Sequence, residues 1–357
     1  MLVALWLCVS TAAGACPICL GAGQVTKATE LATAEQVVLA VPATEPGRFR
    51  VIEVIKGARP SGGTIEGGYP RSGPSAPPRA GKDQALLMVR TDPLPTWVIL
   101  GPMGTAQSGW VGKFAAGKRG EDMRAQDWKA RVELALPYLE NAEPLIAELV
   151  YGELAAAPYA AMRSAKSQLD ARAIRGWLAD SKLVERKRLY TLLLGLAGNA
   201  HDATALDQRL EAAWKAGDPT NLASMLAADL ELRGAARLKW VEAKYLQDRS
   251  RTAAELEAAL LALSVHGHAP GVIPRERVIQ SYRLFMKERP EIAGFVARDF
   301  AAWQYWDAVP DYIALMKSDV RQQFPSKLAI LAYLQQSPSV EARELGRQTK
   351  ALPAMRQ

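Results

Sequence analysis

The feature that most constrains this chain is a repeat in its second half. Leu189, Leu192, Leu193 and Leu196 share one helical face, and Leu222, Met225, Leu226 and Leu230 form the next. Leu256, Ala259, Leu260 and Leu263 follow, then Ile292, Phe295, Val296 and Phe300, then Leu328, Leu331 and Ala332. The leading residues lie 33, 34, 36 and 36 positions apart. Apolar residues three and four apart mark an amphipathic helix, and a near-constant return interval marks an array of stacked units. Turn residues follow each face, near Gly198-Asn199, Gly234, Gly267, Trp306-Asp307 and Ser337-Pro338. Second helices are then expected around Leu206 and Leu210, around Leu238, Val241 and Tyr245, around Val278, Tyr282 and Phe285, and around Val309, Ile313 and Met316. The unit is a helix hairpin of about 35 residues, which buries a core only by stacking on its neighbours. The W-x-x-L-G-x-x-Y pattern of tetratricopeptide repeats is absent, so the array is HEAT-like. Residues 121–180 look helical but break the register, as a capping region would.

The first half has a different texture. VVLAV (Val37 to Val41) and RFRVIEVIK (Arg48 to Lys56) are rich in β-branched and aromatic residues, with Pro42 and Pro46-Gly47 between them. TIE (Thr64 to Glu66), ALLMVR (Ala85 to Arg90) and TWVILG (Thr96 to Gly101) read as further strands, and QSGWVGKF (Gln107 to Phe114) as a last one. A short helix is expected near Thr26 to Ala34. Five or six short strands with turn punctuation predict a small barrel or sandwich.

The N-terminus, MLVALWLCVSTAAGA, has an apolar core and ends in the A-x-A pattern of a secretory cleavage site, though a basic leading region is missing. Cleavage after Ala15 discards Cys8 and leaves Cys16 and Cys19, in Cys16-Pro17-Ile18-Cys19, as the cysteines of the mature chain. In an oxidising compartment this pair is a disulfide, a bond to another chain, a thiol or metal site, or, at Cys16, a lipid attachment point. A small N-terminal staple is the simplest of these. The expected organisation is a signal peptide over 1–15, a β domain over 16–115 and a helical repeat domain over 121–357. No apolar run of transmembrane length occurs beyond the first residues.

The formal charge of +7 is spread out. Its densest patches, GKFAAGKRG and LVERKRLY, have acidic neighbours, which describes a solvated surface; no nucleic-acid partner is expected. Gly112 to Lys118 match G-x-x-x-x-G-K, but Arg119 stands where a phosphate loop needs Ser or Thr. His266 and His268 are the weak metal candidates, two imidazoles two residues apart. Trp303, Tyr305, Trp306 and Tyr312 are candidate partner-binding aromatics. Pro274 is expected in the first turn of its helix, with Arg275, Glu276 and Arg277 pairing between repeats. No Ser-His-Asp arrangement is traceable, and no catalytic residue or cofactor site is assigned.

Cys16 at a mature N-terminus, a short helix, VVLAVP and FRVIEVIKG together resemble netrin-like modules, the OB-type barrels that include tissue inhibitors of metalloproteinases. That resemblance implies an inhibitor whose Cys16 amine and carbonyl chelate a protease's zinc. The inhibitors have C-x-C and further barrel-locking cysteines, which this chain lacks. ACPIC, FRVIEVIKG, LYTLLLGLAG and VIPRERV also resemble predicted exported bacterial proteins of unknown function. Those proteins combine an N-terminal ACPxC, a netrin-like β domain and a HEAT-like array. The resemblance implies an architecture and no activity. The expected protein is therefore a small OB-type barrel followed by an α-solenoid, exported to the periplasm or outside the cell. It is expected to act as a non-catalytic binding or scaffold protein with protein partners, and to meet a membrane only if Cys16 is lipidated. The alternatives are a Cys16/Cys19 thiol or metal function, and protease inhibition through Cys16.

Overall fold

The computed structural model describes residues 16, 18–20, 24–68, 81, 83–92, 96–117 and 123–347. The expected signal peptide at 1–15 lies outside them. The chain divides into two compact units, Met1–Leu169 and Asp170–Gln357. The sequence places the change of texture between 115 and 121, but the first helices beyond that point pack within the first unit.

In the first unit, α1 (Lys27–Thr33) is capped by the Thr26 side chain, which accepts from the Thr29 N–H. The strands β1 (Gln36–Pro42), β2 (Arg48–Lys56), β3 (Thr64–Glu66), β4 (Gln84–Arg90) and β5 (Val98–Gly104) form one antiparallel sheet in the order β3-β2-β1-β4-β5. Central β1 is buried through Val37, Val38, Leu39 and Ala40, and β4 through Ala85 to Val89. Such continuous apolar runs suit strands covered on both faces. One face is filled by Val38, Ala40, Phe49, Val51, Ile65, Leu86, Met88, Trp97 and Ile99. Helices pack on the sheet as well: α2 (Ser108–Ala116) on β2 and, further along, α4 (Pro144–Ala156) on β5. Pro102 sits in edge strand β5, where a missing N–H is tolerated. A parallel bridge joins Gly67, after β3, to Trp97, before β5.

The expected last strand, Gln107 to Phe114, is instead most of α2. Its buried residues, Trp110, Val111, Phe114 and Ala115, recur at helical spacing, which overrides the local β propensity. Between α2 and α4 comes α3 (Ala125–Ala135), and α5 (Tyr159–Ser164) closes the unit. Buried Arg131 of α3 pairs with buried Glu153 of α4, and its guanidinium lies 4.5 Å over the Phe114 ring.

The second unit is helical: α6 (Ala171–Ala179), α7 (Lys187–Ala197), α8 (Ala200–Ala216), α9 (Leu222–Arg233), α10 (Leu238–Val241), α11 (Ala253–His268), α12 (Arg275–Glu288), α13 (Ala297–Ala302), α14 (Val309–Lys317), α15 (Phe324–Gln336) and α16 (Val340–Arg347). The helices that carry the repeating leucines stack on one another, α7 on α9 and α9 on α11. The turn Pro290–Val296 and α13 pack on α15. Leu189, Leu192, Leu193, Leu222, Leu226, Leu230, Leu256, Ala259 and Leu263 are all buried, as the repeat predicts. Capping boxes fix the starts of α8, with Asn199 and Asp202, and of α11, with Thr252 and Glu255.

In the last two faces Ile292, Val296, Phe300 and Leu331 are buried as the repeat predicts, and three other residues depart from it. Phe295 is 44% exposed and Leu328 41% exposed, and Ala332 also faces solvent. The buried line on α15 runs through Ser326, Ile330, the expected Leu331, Tyr333 and Leu334. Small Ser326 sits inside because Gly294 lies directly on its backbone. The Gly294 N–H donates to Ser326 Oγ at 2.9 Å, and a Cβ on Gly294 would meet Ser326 O at 2.0 Å. At the other end of the array, a Cβ on Gly195 of α7 would meet Ala228 Cα of α9 at 2.6 Å. Substituting Gly294→Ala is expected to force these segments apart and to lower stability by about 1–3 kcal/mol, as overpacked cores do. Thermal unfolding of the full chain checks this; a variant as stable as the parent would mean that the crossing is not tight.

Candidate functional site

Cys16, Ile18 and Cys19 are buried, and the Cys19 N–H donates to the Cys16 carbonyl at 3.1 Å, closing a turn. Cys19 Sγ lies 2.7 Å from Cys16 Sγ. Burial pushes the Cys16 thiol up. The hydrogen bond from Cys19 Sγ and the N–H groups of Ile18 and Cys19 outweigh it and hold the thiol below its ordinary value. Pro17 lies outside the described residues. The Cys16 carbonyl, which the inhibitor resemblance would aim at a zinc ion, is the acceptor of this turn. Among the described residues, no group of three His, Cys, Asp or Glu side chains is placed to hold a metal ion.

His266 and His268 both lie on α11. Two residues two apart on a helix point roughly 200° away from each other, so the pair does not converge on one ion. His266 is fully buried, with Nε2 3.0 Å from the Ala227 carbonyl and Nδ1 3.8 Å from Glu231. His268 turns the other way, with Nε2 3.0 Å from Asp299 Oδ1. Each histidine therefore ties α11 to a different neighbour.

The four aromatics fall into two groups. Tyr312 is fully buried and its hydroxyl donates to the Ala293 carbonyl at 3.0 Å, so it belongs to the core and cannot meet a partner. Trp303, Tyr305 and Trp306 are half-buried. Trp303 stacks on Tyr282 at 5.6 Å, Tyr305 packs on Phe300 at 5.0 Å, and Trp306 packs on Tyr333 at 5.1 Å. Their ring faces are largely spent on neighbouring helices.

What the repeat pattern concealed is three exposed apolar side chains on and beside α15. Phe324, 51% exposed, and Leu328 lie one turn apart on α15, and Phe295 stands exposed on the turn packed against that helix. The repeat spacing alone assigns Leu328 to the core. The burial of Ser326, a polar residue in the register, is what rotates it outward.

The buried charges are used structurally. Asp229 of α9 is held by Arg233 at 2.9 Å and Arg237 at 2.5 Å, yet burial pushes its carboxyl above the usual range. Pro274 caps α12 instead of entering its first turn, Arg275 donates to the Gly267 carbonyl at 2.8 Å instead of to a carboxylate, and Arg277 pairs with Glu242 at 2.7 Å, the inter-repeat contact expected of it. Asp299 accepts from the Tyr282 hydroxyl at 2.6 Å and lies against His268. Burial pushes the Asp299 carboxyl up, but the His268 and Tyr282 hydrogen bonds prevail and hold it below the ordinary range.

No known protein family, curated protein or solved structure matches the chain.

A carboxyl held below its unfolded value contributes stability that is present above that unfolded value, about pH 3.9, and is lost as pH falls through the lower folded value. Asp299→Asn is accordingly expected to cost about 1–3 kcal/mol at pH 7 and progressively less below about pH 4. Unfolding curves of both proteins across this range check it; a pH-independent difference would show that the ionised carboxylate is not what matters.

Proposed function

We propose that this is an exported, non-catalytic binding or scaffold protein, acting in the periplasm or outside the cell on protein partners. In this reading the first unit is a netrin-like, OB-type barrel. The Gly67–Trp97 bridge between the two edge regions of the sheet supports the barrel. The second unit is a HEAT-like solenoid, supported by the 33- to 36-residue interval and the stacking of α7, α9 and α11. The same combination underlies the resemblance to exported bacterial proteins with an N-terminal ACPxC. Repeat arrays bind through extended surfaces built from successive units.

The observation that carries the reading is the exposure of three large apolar side chains, Phe324 and Leu328 one turn apart on α15 and Phe295 on the turn packed against that helix. Large apolar side chains grouped on one surface mark interaction sites more often than single exposed ones do. Replacing two solvent-facing residues, Phe324→Asp with Leu328→Glu, is expected to leave the thermal midpoint close to the parent's. It is also expected to abolish a specific cross-linked complex recovered from the native host. A complex that survives the double substitution would move the interaction surface elsewhere.

A second reading, a thiol or metal function of Cys16 and Cys19, is favoured by the hydrogen bonds that lower the Cys16 thiol. Against it stands the burial of both sulfur-bearing residues, since reactive cysteines are partly exposed. The intact mass of protein purified from its native host, under native and denaturing conditions, separates the two. A chain beginning at Cys16, two hydrogens lighter than its sequence and free of metal, is the expected result. Free thiols or a bound metal would favour the second reading.

A further inference from the structure

The helix α15 differs from those stacked before it in what covers it. In α7 every residue from Leu189 to Leu196 is buried, and in α9 every residue from Leu226 to Glu231. A buried run longer than one helical turn means cover on all sides. That cover comes from neighbouring helices: α7 packs against α6 and α9, and α9 against α7, α8 and α11. In contrast, α15 packs against the turn Pro290–Val296, α13, α14 and α16, and its buried residues keep to one side. On the other side Phe324, Leu328 and Ala332 follow one another at four-residue steps, so they form one line along the helix, and all three are exposed.

The open side is also free of charge. Lys327 is the one charged residue of α15; it is half-buried and stands about 100° around the helix from Leu328. At the C-terminal end, Gln335 and Gln336 donate their side-chain amides to the Gly346 and Ala332 carbonyls. Three features indicate what fits against this side. The array is built by laying one apolar helix on the next, α9 on α7 and α11 on α9, so the open side of α15 continues that series and suits one more helix of the same kind. The chain carries a formal charge of +7, so two copies repel where their charged surfaces meet. The uncharged side of α15 can meet its own copy with no like charges opposed, and it offers no ion-pairing group to a partner chosen by charge. Finally, the line is self-complementary: an antiparallel pairing about a two-fold axis midway between Leu328 and Ala332 sets the large side chain of each copy against the small one of the other.

We infer that the protein is a two-fold dimer in which the exposed side of α15 packs against α15 of a second copy. The inference rests on reading Phe324 and Leu328 as an interaction surface, and it names the partner that this surface takes.

Sedimentation of the purified full chain tests it with no other protein present. Between about 1 and 100 μM, a range that brackets micromolar affinity, the parent is expected to reach twice the mass of one chain. Leu328→Glu is expected to hold the mass at one chain throughout, because it buries two unpaired carboxylates at the axis. Ala332→Glu, on the same exposed line, is expected to do the same and serves if Leu328→Glu fails to fold, which circular dichroism shows. A parent that is monomeric at every concentration overturns the inference and leaves the face to another protein or to residues beyond 347. A dimer that survives both substitutions overturns it as well. Either result leaves the interaction surface itself to be judged by the cross-linking experiment in the native host, so the two readings fail separately.

Discussion

Each helix hairpin of the second unit has an apolar face that it cannot bury by itself, and the whole array follows from that constraint. α7, with buried Leu189, Leu192 and Leu193, packs against α6 and α9, and α9, with buried Leu226 and Leu230, packs against α7, α8 and α11. The stacking must be close to exclude water. At Gly195 and Gly294 it is close enough that backbone meets backbone or a neighbouring Cα, and a single methyl group would not fit. Interiors this dense transmit any misfit to the next unit.

Charged side chains are then placed where leucines cannot discriminate one register from another. Arg233 and Arg237, both gripped by Asp229 of their own hairpin, reach Asp207 of α8, Arg175 clamps Asp202 at 2.7 and 2.8 Å, and Arg277 reaches Glu242. Removing charges from water costs much of what their attraction returns, so such pairs add little net stability. Their consequence is geometric: a hairpin shifted by one turn would strand a charge without its partner. The same logic ties His268, Asp299 and Tyr282 together, and makes those residues part of the frame rather than of a reactive centre. The first unit solves its burial differently, with a sheet whose two central strands are apolar on both faces. Its cysteine turn lies inside, where the sulfur atoms are shielded.

The repeat interval, the hairpin plan and β1 to β5 were legible in the sequence because two periodicities, near 3.6 and 2, report which face of an element meets its neighbours. The expectations failed where that report is local and the packing is not. Gln107 to Phe114 has strand-like composition, yet its buried residues sit at helical spacing. Leu328 and Phe295 fit the repeat, yet Ser326 took the interior place beside Gly294. His266 and His268 look like a pair in the sequence, yet α11 sends them to opposite sides.

The sequence by itself determined that the chain has a β-rich half and a helical half, that the helical half repeats, and which leucines recur. Only the tertiary structure decided where the units divide, which aromatics are core and which side chains remain in the open. The reason is physical: burial depends on what a residue's neighbours in space leave uncovered. Those neighbours are set by contacts between positions about 30 residues apart, such as Gly294 with Ser326 and Gly195 with Ala228, which no local pattern contains.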